Sequence, residues 1–301
     1  MTLNKVHYLH LDVFCNSRGG GNHLGVVTDA TGWTDEQMQR FAKWTNLVET
    51  TFLLPPTAEN ASYKVRIFTP TKEIPFAGHP SIGSAHAALD CQLVTPNADN
   101  QIHQECGAGV LPIRILDPDH NNSTRQLLLQ SPKAKVIRTG LDAHPLLAAS
   151  LAGIGLGRLP PALVEGGRHW WLAECESEQQ LRQWKPDHKA ILALAKETNC
   201  LGICVFARAQ DSNGEYQLVV RALPAGVGIV EDPASGAANG LIGAYIAHAE
   251  PNGPLAHGYV VSQGREIGHD ARLVVQIDDK QGIIWIGGRT NTIVDGTLQW
   301  S

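Results

Sequence analysis

The sequence predicts an α+β chain of two similar halves, each mostly strand with one buried helix of small residues. An unusual segment occurs twice: residues 66–86 read RIFTPTKEIPFAGHPSIGSAH and residues 221–244 read RALPAGVGIVEDPASGAANGLIGA. Each copy starts with an Arg in a β-like run, passes a Gly/Pro bend to an Ile, and enters small residues that read as a helix start. Arg66 and Arg221 stand about half of the 301 residues apart, the spacing a duplicated fold requires. The runs around both copies are short, β-favouring and bounded by turn signals. Duplicated halves often present equivalent loops to a shared cleft, so a site between the halves is expected.

The elements follow in order. HYLHLDVF reads as a strand, NSRGGGNHLG as a Gly-rich turn and Val26-Val27 as the returning strand of a hairpin. Thr34 opens a helix: Thr34 with Gln37 fits a capping box, and Met38, Phe41, Ala42 and Thr45 fall on one face, with the end near Asn46. Residues 49–54 favour a strand that stops at Pro55-Pro56, and Lys64 to Thr69 is another. Pro80 suits a first helical turn, and the following helix to about Leu89, with Gly83, Ala85, Ala87 and Ala88, suits threading through a curled sheet. Strands follow near 102–104, 110–116 and 126–130. Residues 118–134 read as the crossing between halves. Helices are expected near 142–152 and 187–197, strands at 201–208 and 215–222, then a second small-residue helix to about Ala249. Strands near 258–263, 271–277 and 283–287 complete the second half. Cys200 and Cys204 are expected on one face of the 201–208 strand, beside Phe206, in a core role.

Composition narrows the classes. At 43% hydrophobic and 18% charged the chain is globular and long enough for two cores. A formal net charge of −5 and the absence of Lys/Arg runs argue against a nucleic-acid footprint. No signal peptide or membrane-length apolar run is visible, so a cytoplasmic protein without a membrane partner is expected. The six scattered Cys, none in a CxxC, read as free thiols. Gly153, Gly155 and Gly157 follow a helix-like run instead of a strand, so they read as a helix C-terminal cluster and not a dinucleotide loop. The 13 His show no ligand spacing, so no metal and no cofactor are expected.

Glu49, at a helix-to-strand junction in NLVETTF, is either an exposed turn residue or a half-buried carboxylate. Asp232 in EDPASG and His79 before Pro80 are each either plain N-cap residues or site residues. The small-residue helices begin at Gly78–Pro80 and about Ser235–Gly236. If their N-termini face one cleft, free amides and partial positive charge would hold a carboxylate and stabilise an enolate without a metal. Glu49 could then move a proton at a neighbouring carbon.

Five pieces in order resemble one family: DVF with GGGNHLGVV, NLVETTFLLPP, RIFTPTKEIPFAGHPSIGSAH, GIVEDPASGAANGLIGAY, and QGREIG with IWIGG. Together they are similar to the PhzF-like family, phenazine-biosynthesis isomerase-like proteins of the diaminopimelate epimerase fold. The resemblance implies two pseudo-symmetric domains, each a curled sheet or barrel around a central helix. The halves would be residues 1–125, to which a last strand at about 288–301 returns, and residues 126–287. It implies a cofactor-independent isomerase or epimerase, a small carboxylate-bearing substrate and a homodimer. Glu49, His79 and Asp232 stand at the family's catalytic positions. Asn22, Gly78, Ser235 and Gly236 match substrate-binding positions. Gly78 and Asp232 lie where related racemases carry two catalytic Cys. Val48 and Ala237 replace Ser of the phenazine enzyme, which removes two hydroxyls and shifts the expected substrate. An unperturbed Glu, with a pKa near ~4.3, is too weak a base toward carbon, so burial of Glu49 is required to raise it. The alternative is a family member that only binds a small molecule or regulates.

Overall fold

The computed structural model describes residues 4–116, 125–210, 213–278 and 281–300. Two compact units emerge, one running to Gln130 and taking in Gly287 onward, the other Ser131–Ile286.

In the first unit, β1 (Asn4–Val13) and β2 (Asn22–Val27) form the expected antiparallel hairpin, with Asp12 opposite His23. Helix α1 (Asp35–Thr45) starts at the capping box: Gln37 N–H donates to Thr34 Oγ1 and Thr34 N–H donates to Gln37 Oε1. It buries Met38, Phe41 and Ala42 and stops where Asn46 turns left-handed at φ 54°. It carries the chain from β2 to the parallel strand β3 (Thr50–Leu54), which pairs antiparallel with β4 (Tyr63–Phe68). The short β5 (Glu73–Ile74) folds back on β4. Helix α2 (Gly78–Asp90) crosses to β6 (Gln101–Cys106), parallel to β4, and β7 (Gly109–Leu116) and β8 (Gln126–Gln130) follow antiparallel.

Helix α2 is buried from His79 to Ala88 because its side chains are small. A Cβ at Gly83 would stand 2.4 Å from Leu24 Cδ2 and 2.9 Å from Val13 Cγ2, so the sheet closes on bare backbone. The helix's hydroxyls are satisfied locally: Ser81 Oγ donates to the Ala77 carbonyl and Ser84 Oγ to Thr51 Oγ1.

The second unit repeats this order. Strand β9 (Lys135–Thr139) precedes α3 (Leu147–Ser150), and β10 (Ala162–Glu165) pairs antiparallel with β9 and with β11 (His169–Glu174). Helices α4 (Glu178–Gln183) and α5 (His188–Glu197) lead to β12 (Ile203–Arg208), parallel to β11, and β13 (Leu218–Leu223) returns antiparallel. Helix α6 (Gly236–Ala249) crosses to β14 (Gly258–Gln263), parallel to β13, followed by β15 (Ala271–Asp278) and β16 (Ile283–Gly288). The strand–strand–buried helix–parallel strand order of β3, β4, α2 and β6 thus recurs as β12, β13, α6 and β14. Finally β17 (Thr290–Trp300) pairs antiparallel with β1, in the first unit.

Several expectations shift. The helix expected at 142–152 is a 3-10 turn, Leu141–Ala143, and the single turn of α3, because Pro145 holds His144 extended at φ −154°. Strands β9, β10 and β11 and helix α4 occupy stretches in which no element was expected. Cys200 and Cys204 do not share a strand face. Gly202, at φ 153°, breaks the run, so Cys200 packs with Ile203, Val205 and Ala207 while Cys204 lies outside that cluster. Gly153–Gly157 follows α3 and leads to an isolated bridge, Leu156 to Cys175, with no helix after it, as its context required. Residues 118–124 of the expected crossing region lie outside the described residues.

Candidate active site

In the first unit, α1 ends at Asn46 and β3 begins at Thr50, which leaves Glu49 on the short link between them. Its side chain is 13% exposed, so the half-buried alternative is the observed one. His79, the second residue of α2, is 8% exposed at the side chain, and its Nε2 lies 3.5 Å from Glu49 Oε2. Ala77 occupies the N-cap, so His79 is not a cap. No side chain caps α2, and its first turn carries no acidic residue. The partial positive charge of the helix start is therefore left facing the segment that holds Gly78 and His79.

Burial pushes the His79 imidazole down to about 3; a hydrogen bond with the His23 main chain works the other way, and the charge of the His23 ring pushes it down again. His79 is a neutral imidazole near pH 7. Its Nε2 makes no hydrogen bond of ordinary length, so the bond to the His23 carbonyl belongs to Nδ1–H. That tautomer points a bare Nε2 lone pair at a carboxyl oxygen. Two acceptors facing each other in a buried place repel, and one proton between them removes the repulsion. The arrangement can therefore hold and release one proton as a pair.

The Gly-rich turn between β1 and β2 is shaped by Asp12, a residue the sequence did not mark. Gly19 and Gly21 N–H groups each donate to its carboxylate at 2.7 Å. A Cβ at Gly21 would sit 2.2 Å from the Val13 carbonyl oxygen, so only Gly fits. This turn delivers Asn22, buried, at the start of β2, one residue before the His23 carbonyl that holds His79.

The second unit gathers Asp232, Ser235 and Gly236 in one turn. Asp232 N–H donates to the Ala222 carbonyl, and its Oδ1 accepts from Ala234 N–H. Asp232 therefore organises the turn before α6, and the N-cap is Ser235, whose Oγ accepts from Ala238 N–H. Gln263 binds the turn at two points: its Nε2 donates to the Asp232 carbonyl, and its Oε1 accepts from Ser235 N–H. Asn239 Nδ2 donates to that same Oε1 and to the Ser235 carbonyl. Gly236 begins α6, and Ala237 is exposed on its first turn.

The repeated Arg has the same partner type in both units. Arg66 Nε and Nη2 donate to the two oxygens of Glu73 at 2.8 and 2.6 Å, and Arg221 donates in the same fork to Glu231 at 2.9 and 2.8 Å. Glu231 directly precedes Asp232, and Glu73 opens β5, a few residues before Gly78. The Arg of each copy was visible in the sequence; the Glu partners were not, because their spacing differs between copies.

Two other features stand apart. A cleft of about 510 Å³ in the first unit is lined by Thr57, Lys64, Arg66, Glu73 and Glu105 among others, and by none of Asn22, Glu49, Gly78 and His79. Its charges are matched within it, since Lys64 pairs with Glu105 and Arg66 with Glu73. Among the described residues no three His, Cys, Asp or Glu side chains are arranged to hold a metal. All six Cys are free, and the Cys204 thiol is held protonated by burial, helped by the charge of Asp232. No helix among the described residues is long and apolar enough to cross a membrane.

Comparisons with known proteins point one way. A family model described as phenazine biosynthesis-like protein matches residues 11–296. The Schizosaccharomyces pombe protein named Antisense-enhancing sequence 1 is 31% identical over 296 residues, covering 96% of this chain and 97% of that one. The trans-2,3-dihydro-3-hydroxyanthranilate isomerase of Pseudomonas aeruginosa is 29% identical over 271 residues, 90% of each chain. Among solved structures, the Bacillus anthracis phenazine biosynthesis protein of the PhzF family superposes with a TM-score of 0.83 at 26% identity, covering 98% of this chain and 99% of that one.

Proposed function

Because the chain belongs to the phenazine biosynthesis-like protein family, we propose that it is an isomerase that moves a proton on a small carboxylate-bearing metabolite without a cofactor. The observation that carries this reading is the Glu49–His79 pair, 3.5 Å apart, with His79 neutral and its bare nitrogen turned to the carboxyl group. Glu49 takes a proton from an activated carbon and returns it at another position; His79 accepts or supplies the proton held between them. The oriented first-turn amide at Gly78 holds a carboxylate or enolate oxygen. Asn22, buried at the start of β2, orients the substrate. The working form is a homodimer, which light scattering tests.

The names of the relatives suggest the first compound to try. Trans-2,3-dihydro-3-hydroxyanthranilate, then a panel of small unsaturated cyclic carboxylates, is incubated with the protein in D₂O. Turnover with deuterium at carbon is expected, and Glu49→Gln, which keeps the shape and removes the base, lowers the rate by roughly 10²–10⁴. Full turnover by Glu49→Gln on a compound that the native protein converts would rule out this mechanism. A second reading, a small-molecule binder, draws on Val48, 41% exposed beside Glu49, and exposed Ala237, both unable to hydrogen-bond through their side chains. Tight binding of a compound with no deuterium uptake would favour it.

A further inference from the structure

The β1–β2 hairpin carries a second pair of imidazoles. His10 Nε2 lies 3.3 Å from His23 Nδ1, with ring centroids 5.5 Å apart and planes at 64°. His23 thereby touches two things at once: its ring meets His10, and its carbonyl holds the Nδ1–H of His79.

We infer that His23 is a positioning residue for the Glu49–His79 pair, its carbonyl selecting the His79 tautomer and its ring pair with His10 setting where the shared proton rests. The inference deepens the proton-transfer reading and rests on it for its consequence in catalysis. A nitrogen–nitrogen contact of this length is a hydrogen bond only when one nitrogen carries the hydrogen and the other does not. Two positive rings at this distance would repel, so the contact disfavours a second added proton. Burial opposes a cation at His10 most; the His23 ring opposes it too, and Asp12 on its own strand favours one. Facing His23 from α2 is His79, and beyond it Glu49. When the ring pair gains its proton, the new positive charge opposes protonation of His79, so the proton between His79 and Glu49 is biased to the carboxyl. Loss of the cation relaxes that bias.

The test needs no substrate. The full-length protein, labelled with ¹⁵N-histidine, is followed by imidazole ¹⁵N–¹H spectra from pH 5 to 9. The native protein is expected to show His79 neutral with its hydrogen on Nδ1, and a shift at its Nε2 resonance in step with the His10–His23 titration. His23→Gln keeps the carbonyl and removes the ring, so the tautomer persists and the step at His79 disappears. His10→Gln leaves the His23 ring, so a step remains with its midpoint moved by about half a pH unit or more, the scale of one partly solvated charge nearby. Backbone spectra establish that both variants fold. The inference is overturned by an Nε2–H tautomer of His79, by a His79 resonance that does not follow the ring pair, by a step that survives His23→Gln, or by an unmoved midpoint in His10→Gln. Absence of deuterium uptake from every compound would defeat the isomerase reading and leave these spectra unchanged, so the two failures are distinguishable.

Discussion

Replacing Arg221 by Leu separates what burial contributes from what an ion pair contributes. The Arg221 and Glu231 side chains are 6% and 4% exposed, and Arg221 Nη1 also donates to the carbonyls of Leu181 and Trp184 at 3.2 and 2.7 Å. The substitution leaves a carboxylate buried without its partner and two buried carbonyls short of a donor. Removing one member of a buried pair costs about 3–5 kcal/mol. Arg66→Leu removes a fork of the same geometry, but there the side chains are 20% and 41% exposed and water can replace the guanidinium. That loss should be near 1 kcal/mol or less. Urea unfolding of the two variants beside the native protein, with slopes compared, reads both numbers. Amide exchange then shows whether the Asp232–Ala238 amides lose protection first in Arg221→Leu. Equal losses for the two variants would refute the reasoning, since the chemistry is shared and only burial differs.

Other outcomes follow from the same geometry. His79 has a folded-state pKa of about 3 against about 6.5 unfolded, so between those values the unfolded chain binds a proton that the folded one refuses. Its contribution to stability is therefore complete above about pH 6.5 and is lost as the pH falls. A decline of roughly 1–2 kcal/mol from pH 7 to pH 5 is expected in urea melts, and His79→Gln should flatten it. Gly83→Ala gains helix propensity but drives a methyl against Leu24 and Val13; a net loss of about 1–2 kcal/mol in the same melts is expected, and a gain would show that the sheet gives way there. Thr34→Ala removes the acceptor for Gln37 N–H and should cost about 1 kcal/mol, read as a lowered Tm.

Much of this fold could be read where local chemistry decides the structure. The capping box at Thr34 and Gln37, the stop at Asn46 and the small residues of α2 and α6 each answer to neighbours in sequence or to a packing limit with one solution. Elements that depend on distant partners were not legible. Strands β10 and β11 are short and carry polar ends, and they exist because β9 and β12 flank them. Cys200 looked like part of β12 until Gly202 broke the alternation. At the site, Glu49 and His79 were visible as residues, but their opposition at 3.5 Å needed α2 to be placed against β3. Asp12, His23 and Gln263 went unmarked because their work is done largely through bonds to main-chain groups, which any side-chain pattern conceals.

The pairing of β1 with β17 has a consequence for how the protein is made. Strand β1 leaves the ribosome long before Thr290–Trp300, the partner along one of its edges. Until Thr290–Trp300 is made, that edge offers unpaired N–H and C=O groups to other strands, an opening for aggregation. Closing so long a loop makes the first unit a late and slow folder, even though most of it precedes the second unit in sequence. Deleting residues 296–300 of β17 should therefore reduce the yield of folded protein without touching any residue of the site.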